Sequence, residues 1–227
     1  MKMKRKALFY SCLVFLFFLF GLFYQVGFTG EKQDGSDLDL KVKKFLQEHK
    51  YQWYRMNVSE SDGKVLYDLI IKNKYKKALE IGTSTGHSAI WLAWALSKTG
   101  GKLITIEIDE PTYKEALENF KEAGLLDYID ARLADAHELV PQLKGPFDFV
   151  FCDADKGWYK NYFVAVMPKL LVGGCYTAHN VSMGRGRRRG GGVGAFLDHV
   201  RRLPNFETTI INSSFAGISV SYKKAQK

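Results

Sequence analysis

The sequence predicts an α/β protein: a seven-stranded, mostly parallel sheet with helices on both faces and an antiparallel hairpin at its C-terminal edge, preceded by a hydrophobic N-terminal helix. Three observations predict it. Short apolar runs alternate with amphipathic helical stretches along the chain, the pattern of β-α-β units whose strands are covered on both faces. The last two runs, residues 206–211 and 218–222, are joined by only six residues, too few for a helical crossover, so they must pair antiparallel. Residues 7–28 carry no charge, and about 20 apolar residues are enough to cross a hydrocarbon core as a helix.

The elements follow in order. Residues 1–28 form a basic tail and an apolar segment, residues 29–37 a polar, Gly-containing linker, and residues 38–227 one folded domain. Leu38, Val42, Phe45 and Leu46 recur at helical spacing, as do Val65, Leu66, Leu69 and Ile70. Strand 77–81 precedes an Ala- and Trp-rich helix from His87, and strand 102–108 precedes a helix opened by Pro111. Strand 129–133, a short helix around Glu138, strand 147–152 and a helix through Val164 come next. Strand 174–178 and helix 195–203 lead into the closing hairpin.

The net charge of +9 suggests a polyanion partner until it is located. Lys2, Lys4, Arg5 and Lys6 sit in the N-terminal tail, and Arg185, Arg187, Arg188 and Arg189 sit in one Gly-rich run; these eight account for most of it. A protein that grips nucleic acid spreads its basic residues over a face, so no nucleic-acid partner is expected. Cys12, Cys152 and Cys175 fall in apolar runs and read as reduced, buried residues. The basic residues before segment 7–28 and Glu31, Asp34, Asp37 and Asp39 after it predict a single-pass anchor with the N-terminus in the cytoplasm. A cleaved signal peptide is the alternative.

Chemistry concentrates after the strands. The first is followed by Glu80, Ile81, Gly82, Thr83, Ser84, Thr85, Gly86, His87 and Ser88, where two glycines allow a tight turn and close approach to a ligand before a helix begins. The second ends in Glu107, Ile108 and Asp109, placing a carboxylate where it can accept both ribose hydroxyls of a nucleoside. The third is followed by Asp135 and Ala136, placed to meet an adenine. The fourth runs into Asp153, Ala154, Asp155 and Lys156, a carboxylate and an amine suited to deprotonating a hydroxyl; Asp155 reads as a helix cap.

Together, Met56, Asn57 and Val58, the loop from Glu80 to Ser88, the IEID segment ending in Asp109 and the FCDADKGWY segment 151–159 resemble the catechol and caffeoyl-coenzyme A O-methyltransferases, from about Met56 to the C-terminus. The resemblance implies a Rossmann-like methyltransferase domain that moves a methyl group from S-adenosylmethionine to a hydroxyl of a small, aromatic acceptor. It implies a cofactor site of Met56, Val58, Glu80, Gly82, Ser84, Gly86, Ser88, Glu107, Asp135, Ala136 and Asp153, with Met56 beside the methyl group. It assigns Lys156 as the base and Asp153 to a divalent metal. The family's metal-binding Asp-Asn pair stands here as His179-Asn180, so the implied triad Asp153, His179 and Asn180 suits Mn²⁺, Fe²⁺ or Zn²⁺ better than Mg²⁺. The other reading makes His179 a neutral pocket residue or a base, with no metal.

Two further features depart from the family. The Arg/Gly run 184–192 can recruit an anionic acceptor or lipid headgroups, or stand as a solvated loop. The connection 213–217 lacks an acidic residue to hold a catechol's second hydroxyl. A cytosolic methyl donor conflicts with a domain outside the membrane, so the side that the domain faces stays open, as does a homodimer. An RNA or protein methyltransferase and a non-catalytic SAM-binding membrane module are the rival functions.

Overall fold

The structure is a computed structural model; it describes residues 35–53, 56–182 and 192–226. Seven strands form one sheet: β1 (Lys77–Ile81), β2 (Lys102–Glu107), β3 (Ile129–Leu133), β4 (Phe147–Cys152), β5 (Leu170–His179), β6 (Phe206–Ile211) and β7 (Ile218–Lys223), in the order β3-β2-β1-β4-β5-β7-β6. β1 to β5 are parallel. β7 pairs antiparallel with β6, as the short connection requires, and also antiparallel with β5, so it inserts between the two. The order reverses at β1, so the crevice beyond the C-terminal ends of β1 and its neighbours is where an open α/β sheet binds ligands.

Strand alternation builds two cores. Ala78, Leu103, Phe149 and Phe151 face α1 (Gly35–Glu48), α2 (Glu60–Asn73), α3 (His87–Thr99) and α4 (Glu110–Ala123). Leu79, Ile81, Ile106, Val150 and Cys152 face α5 (Ala136–Gln142), α6 (Tyr159–Val166) and α7 (Gly192–Arg201). The helices start where local chemistry dictates. Ser59 caps α2, Asp109 caps α4 with Pro111 in its first turn, and Asp135 caps α5, each accepting a backbone N–H. Asp155 accepts from the Gly157 amide and is the expected cap. Cys152 and Cys175 are buried free thiols; Cys12 lies outside the described residues.

β5 begins at Leu170, four residues before the expected start. Phe147 pairs with Leu170 but Phe149 pairs with Cys175, so extra residues bulge from β5 at Gly173 (φ 81°) and Gly174. The two adjacent glycines absorb a bulge inside the strand.

The expected membrane localisation is corrected. Among the described residues no helix is long and apolar enough to cross a membrane. Even the 14-residue helices α1, α2 and α4 reach about 21 Å, short of a hydrocarbon core of about 30 Å. Segment 7–28, which carried the expectation of a single-pass anchor and of the N-terminal hydrophobic helix, lies outside the described residues. So does 183–191, nearly all of the Arg/Gly run.

Candidate active site

A cavity of about 1060 Å³ opens at the C-terminal ends of β1 to β5. Its floor is the turn after β1. Gly82 and Gly86 have φ of 96° and 97°, and Ser84 has 50°, so the chain reverses through left-handed conformations that favour glycine. A Cβ on Gly82 would lie 2.7 Å from the Asp153 carbonyl oxygen, and one on Gly86 2.5 Å from the Phe120 ring. The absent side chains let the turn lie against β4 and α4 and leave the cavity open above it.

Glu107, at the end of β2, is held by three backbone donors. Ser84 N–H donates to Oε2 at 2.8 Å, and the Ile108 and Asp109 amides donate to Oε1 at 3.0 Å each. The carboxylate is thereby fixed on the cavity wall with lone pairs to spare. Glu107, Asp135, Ala136, Gly82, Ser84 and Met56 all line the cavity. Met56 is 92% exposed with φ 51°, and its neighbour Asn57 donates to the Thr85 hydroxyl at 2.9 Å, tying this rim to the turn.

Other expected site residues stand behind the wall. Val58 is buried, its carbonyl accepting from His87 Nδ1 at 2.9 Å, while His87 Nε2 accepts from the Trp91 indole at 3.1 Å. Ser88 and Glu80 are buried too. Burial pushes the Glu80 carboxyl up to about 8, against the Ser88 and Thr105 hydroxyls that favour its charge. Thr105 donates to Oε2 at 2.5 Å.

Past β4, Lys156 Nζ donates to Asp153 Oδ1 and, at 2.9 Å, to the Tyr159 hydroxyl. Tyr159 OH also lies 3.3 Å from Asp153 Oδ1 and from the His179 carbonyl oxygen. His179, at the end of β5, lies 2.9 Å through Nδ1 from Asp153 Oδ2 and 3.1 Å through Nε2 from Asp62 Oδ2. Burial opposes the charge on this imidazole, but Asp153 and Asp62 outweigh it and raise its pKa to about 9. Burial likewise opposes ionisation of Asp153, yet His179 and Lys156 hold it below the usual carboxylate range.

The implied metal triad is corrected by these contacts. Both His179 nitrogens face carboxylates, so neither presents a lone pair to a cation, and both Asp153 oxygens already accept from protein donors. Asn180 (φ 59°) lines the cavity beside them. Among the described residues no group of three or more His, Cys, Asp or Glu side chains could hold a metal ion. The residues present do not fit Mg²⁺, Mn²⁺, Fe²⁺ or Zn²⁺. Two carboxylates on the two ring nitrogens favour the protonated form of His179 over the neutral one.

A profile described as O-methyltransferase matches residues 34–186. The chain belongs to the O-methyltransferase family. It is 39% identical over 130 residues to a catechol O-methyltransferase of Niastella koreensis, covering 56% of this chain and 58% of that one. It is 35% identical over 130 residues to caffeoyl-CoA O-methyltransferase 1 of Eucalyptus globulus, covering 55% and 52%. The matched region thus spans about half the length of these O-methyltransferases. The O-methyltransferase of Bacillus cereus, solved in complex with SAH, superposes with a TM-score of 0.71 at 28% identity, over 82% of this chain and 91% of that one. The family match starts after segment 7–28.

Asp62, Tyr159, Ser213 and Ser214 have no role in the sequence-based expectations. Ser59 and Asp62 have the spacing of a helix cap, and Asp62 N–H does donate to Ser59 Oγ at 3.1 Å. Nothing local tells that the same carboxylate also reaches β5. Tyr159 lies one helical turn beyond Lys156, a spacing that places the two side chains together.

Proposed function

We propose that this O-methyltransferase moves a methyl group from S-adenosylmethionine to a hydroxyl of a small aromatic acceptor. One arrangement carries the reading: the Gly82–Gly86 turn, Glu107, and Asp135 with Ala136 follow three neighbouring strands and border one cavity, with Asp153 and Lys156 at the end of a fourth. Open space above a glycine turn and a preorganised carboxylate suit a nucleoside. The B. cereus relative, solved with SAH, supports that choice of ligand. The names of the catechol and caffeoyl-CoA relatives support an aromatic hydroxyl as acceptor.

In this reading Glu107 accepts the ribose hydroxyls, Asp135 accepts from the adenine amino group and Ala136 borders the ring. Glu80, Gly86, Ser88 and Val58 set the turn and the rim from behind, and Met56 covers the reacting end. Bound S-adenosylmethionine supplies an electrophilic methyl group on a cationic sulfur. Lys156, as the amine, accepts the acceptor's hydroxyl proton, and the ammonium so formed is stabilised by Asp153 Oδ1 and the Tyr159 hydroxyl. Much of the acceleration comes from holding the acceptor oxygen in line with the methyl carbon.

The test is incubation of the purified chain with methyl-labelled S-adenosylmethionine and a panel of phenols. Labelled methyl ether is expected from at least one. No labelled product, together with no calorimetric binding of SAH, would overturn the reading.

A further inference from the structure

The buried cluster behind Lys156 contains more charge than the proposed reaction uses. Asp62 comes from the first turn of α2, Asp153 from the end of β4 and His179 from the end of β5. The Asp62 and His179 side chains are 1% and 5% exposed, and that of Asp153 is 11% exposed. Ser213 donates to Asp62 Oδ1 at 2.5 Å, and Ser214 and Ser59 donate to Oδ2 at 2.6 and 2.8 Å. Three hydroxyl donors aimed at one carboxylate favour its ionised form. A buried carboxylate that stays ionised needs a cation beside it, and the group beside it is the His179 ring.

The ring satisfies both anions at once. A neutral imidazole donates from one nitrogen and accepts at the other, so it can serve only one of two ionised carboxylates. With Asp62 on Nε2 and Asp153 on Nδ1, both nitrogens must donate, and the ring stands as a fixed positive charge between them. A divalent ion approaching Asp153 would meet that charge, and would have to displace Lys156 from Oδ1 or His179 from Oδ2.

We propose that the Asp62–His179–Asp153 bridge is a built-in cation site: the imidazolium stands in for a divalent ion, and the site binds no divalent metal. The inference concerns this chain's charge arrangement and is independent of which acceptor it methylates. It goes beyond the proposed function, because methyl transfer can be correct with or without it.

The test measures Mn²⁺ binding to the full chain by electron paramagnetic resonance of free Mn²⁺ at pH 7.5, with no acceptor or methyl donor present. No saturable site is expected at millimolar Mn²⁺ in the wild type. His179→Asp removes the internal cation and gathers three carboxylates, and is expected to tighten Mn²⁺ binding at least tenfold, with folding checked by circular dichroism. If that variant does not fold, the wild-type measurement decides. Saturable one-to-one binding to the wild type that disappears in Asp153→Asn overturns the proposal, as does a folded His179→Asp variant with no gain. Because the readout is metal binding, a failure of the methyl-transfer reading leaves it untouched.

Discussion

The Nε2 of His179 meets Oδ2 of Asp62 at 3.1 Å across 117 residues of sequence, joining the end of a central strand to the first turn of a helix on one face of the sheet. Both groups are buried, so each depends on the other for its charge. Removing one partner of such a pair leaves an uncompensated charge in the interior. Asp62→Asn is therefore expected to lower stability by about 3 kcal/mol, read as a shift in the urea midpoint at pH 7. A change within error would show that the contact carries no net energy.

Stability should fall as the medium becomes alkaline. The His179 pKa in the fold, about 9, lies above its ordinary 6.5, so the stabilisation is complete below pH 6.5 and is lost as the pH rises through 9. The groups that face the ring are Asp62 from α2 and Asp153 after β4, with Lys156 and Tyr159 beside Asp153. Glu80 acts in the same direction: burial raises it from 4.5 to about 8, so its contribution is lost as the pH rises through 8. A decrease on the order of 1–3 kcal/mol is expected between pH 6.5 and 9.5. His179→Gln should flatten the curve above pH 8; an equally steep curve there would assign the effect elsewhere.

On the proposed function, Glu107→Ala removes the anchored acceptor for the ribose hydroxyls. Affinity for S-adenosylmethionine should drop by roughly 1.5–3 kcal/mol, measured by titration calorimetry. Unchanged affinity would mean that the three backbone donors on Glu107 serve the turn alone.

Lys156→Met tests the proton acceptor. The methionine chain keeps much of the lysine stem's volume, so binding of SAH is expected to remain within about twofold while turnover falls by roughly 10²–10⁴-fold, the usual contribution of a positioned base. Retained turnover would remove Lys156 from the chemistry.

The alternation of apolar runs with helical stretches made the strands legible in the sequence, and six of the seven, β1, β2, β3, β4, β6 and β7, lie within one residue of where it predicts. Alternation is a local property, carried by side chains two residues apart. The glycine turn with Glu107 was legible for a similar reason, because consecutive strand ends in a parallel sheet come out side by side. The first four residues of β5 were not, since they belong to the strand only through pairing with β4 across the bulge at Gly173 and Gly174.

The sequence by itself determined which residue types stand at the strand ends: the glycines after β1, Glu107, Asp135, Asp153, Lys156 and His179. It even flagged His179 as the odd member of its set. Only the tertiary structure shows what that histidine contacts, because its second partner, Asp62, belongs to a helix 117 residues earlier and is held by serines from the β6–β7 connection. A metal ligand and a buried imidazolium are the same residue in a sequence. Which one it is depends on whether its second nitrogen faces open space or a carboxylate, and that is fixed by how α2 packs beside the sheet.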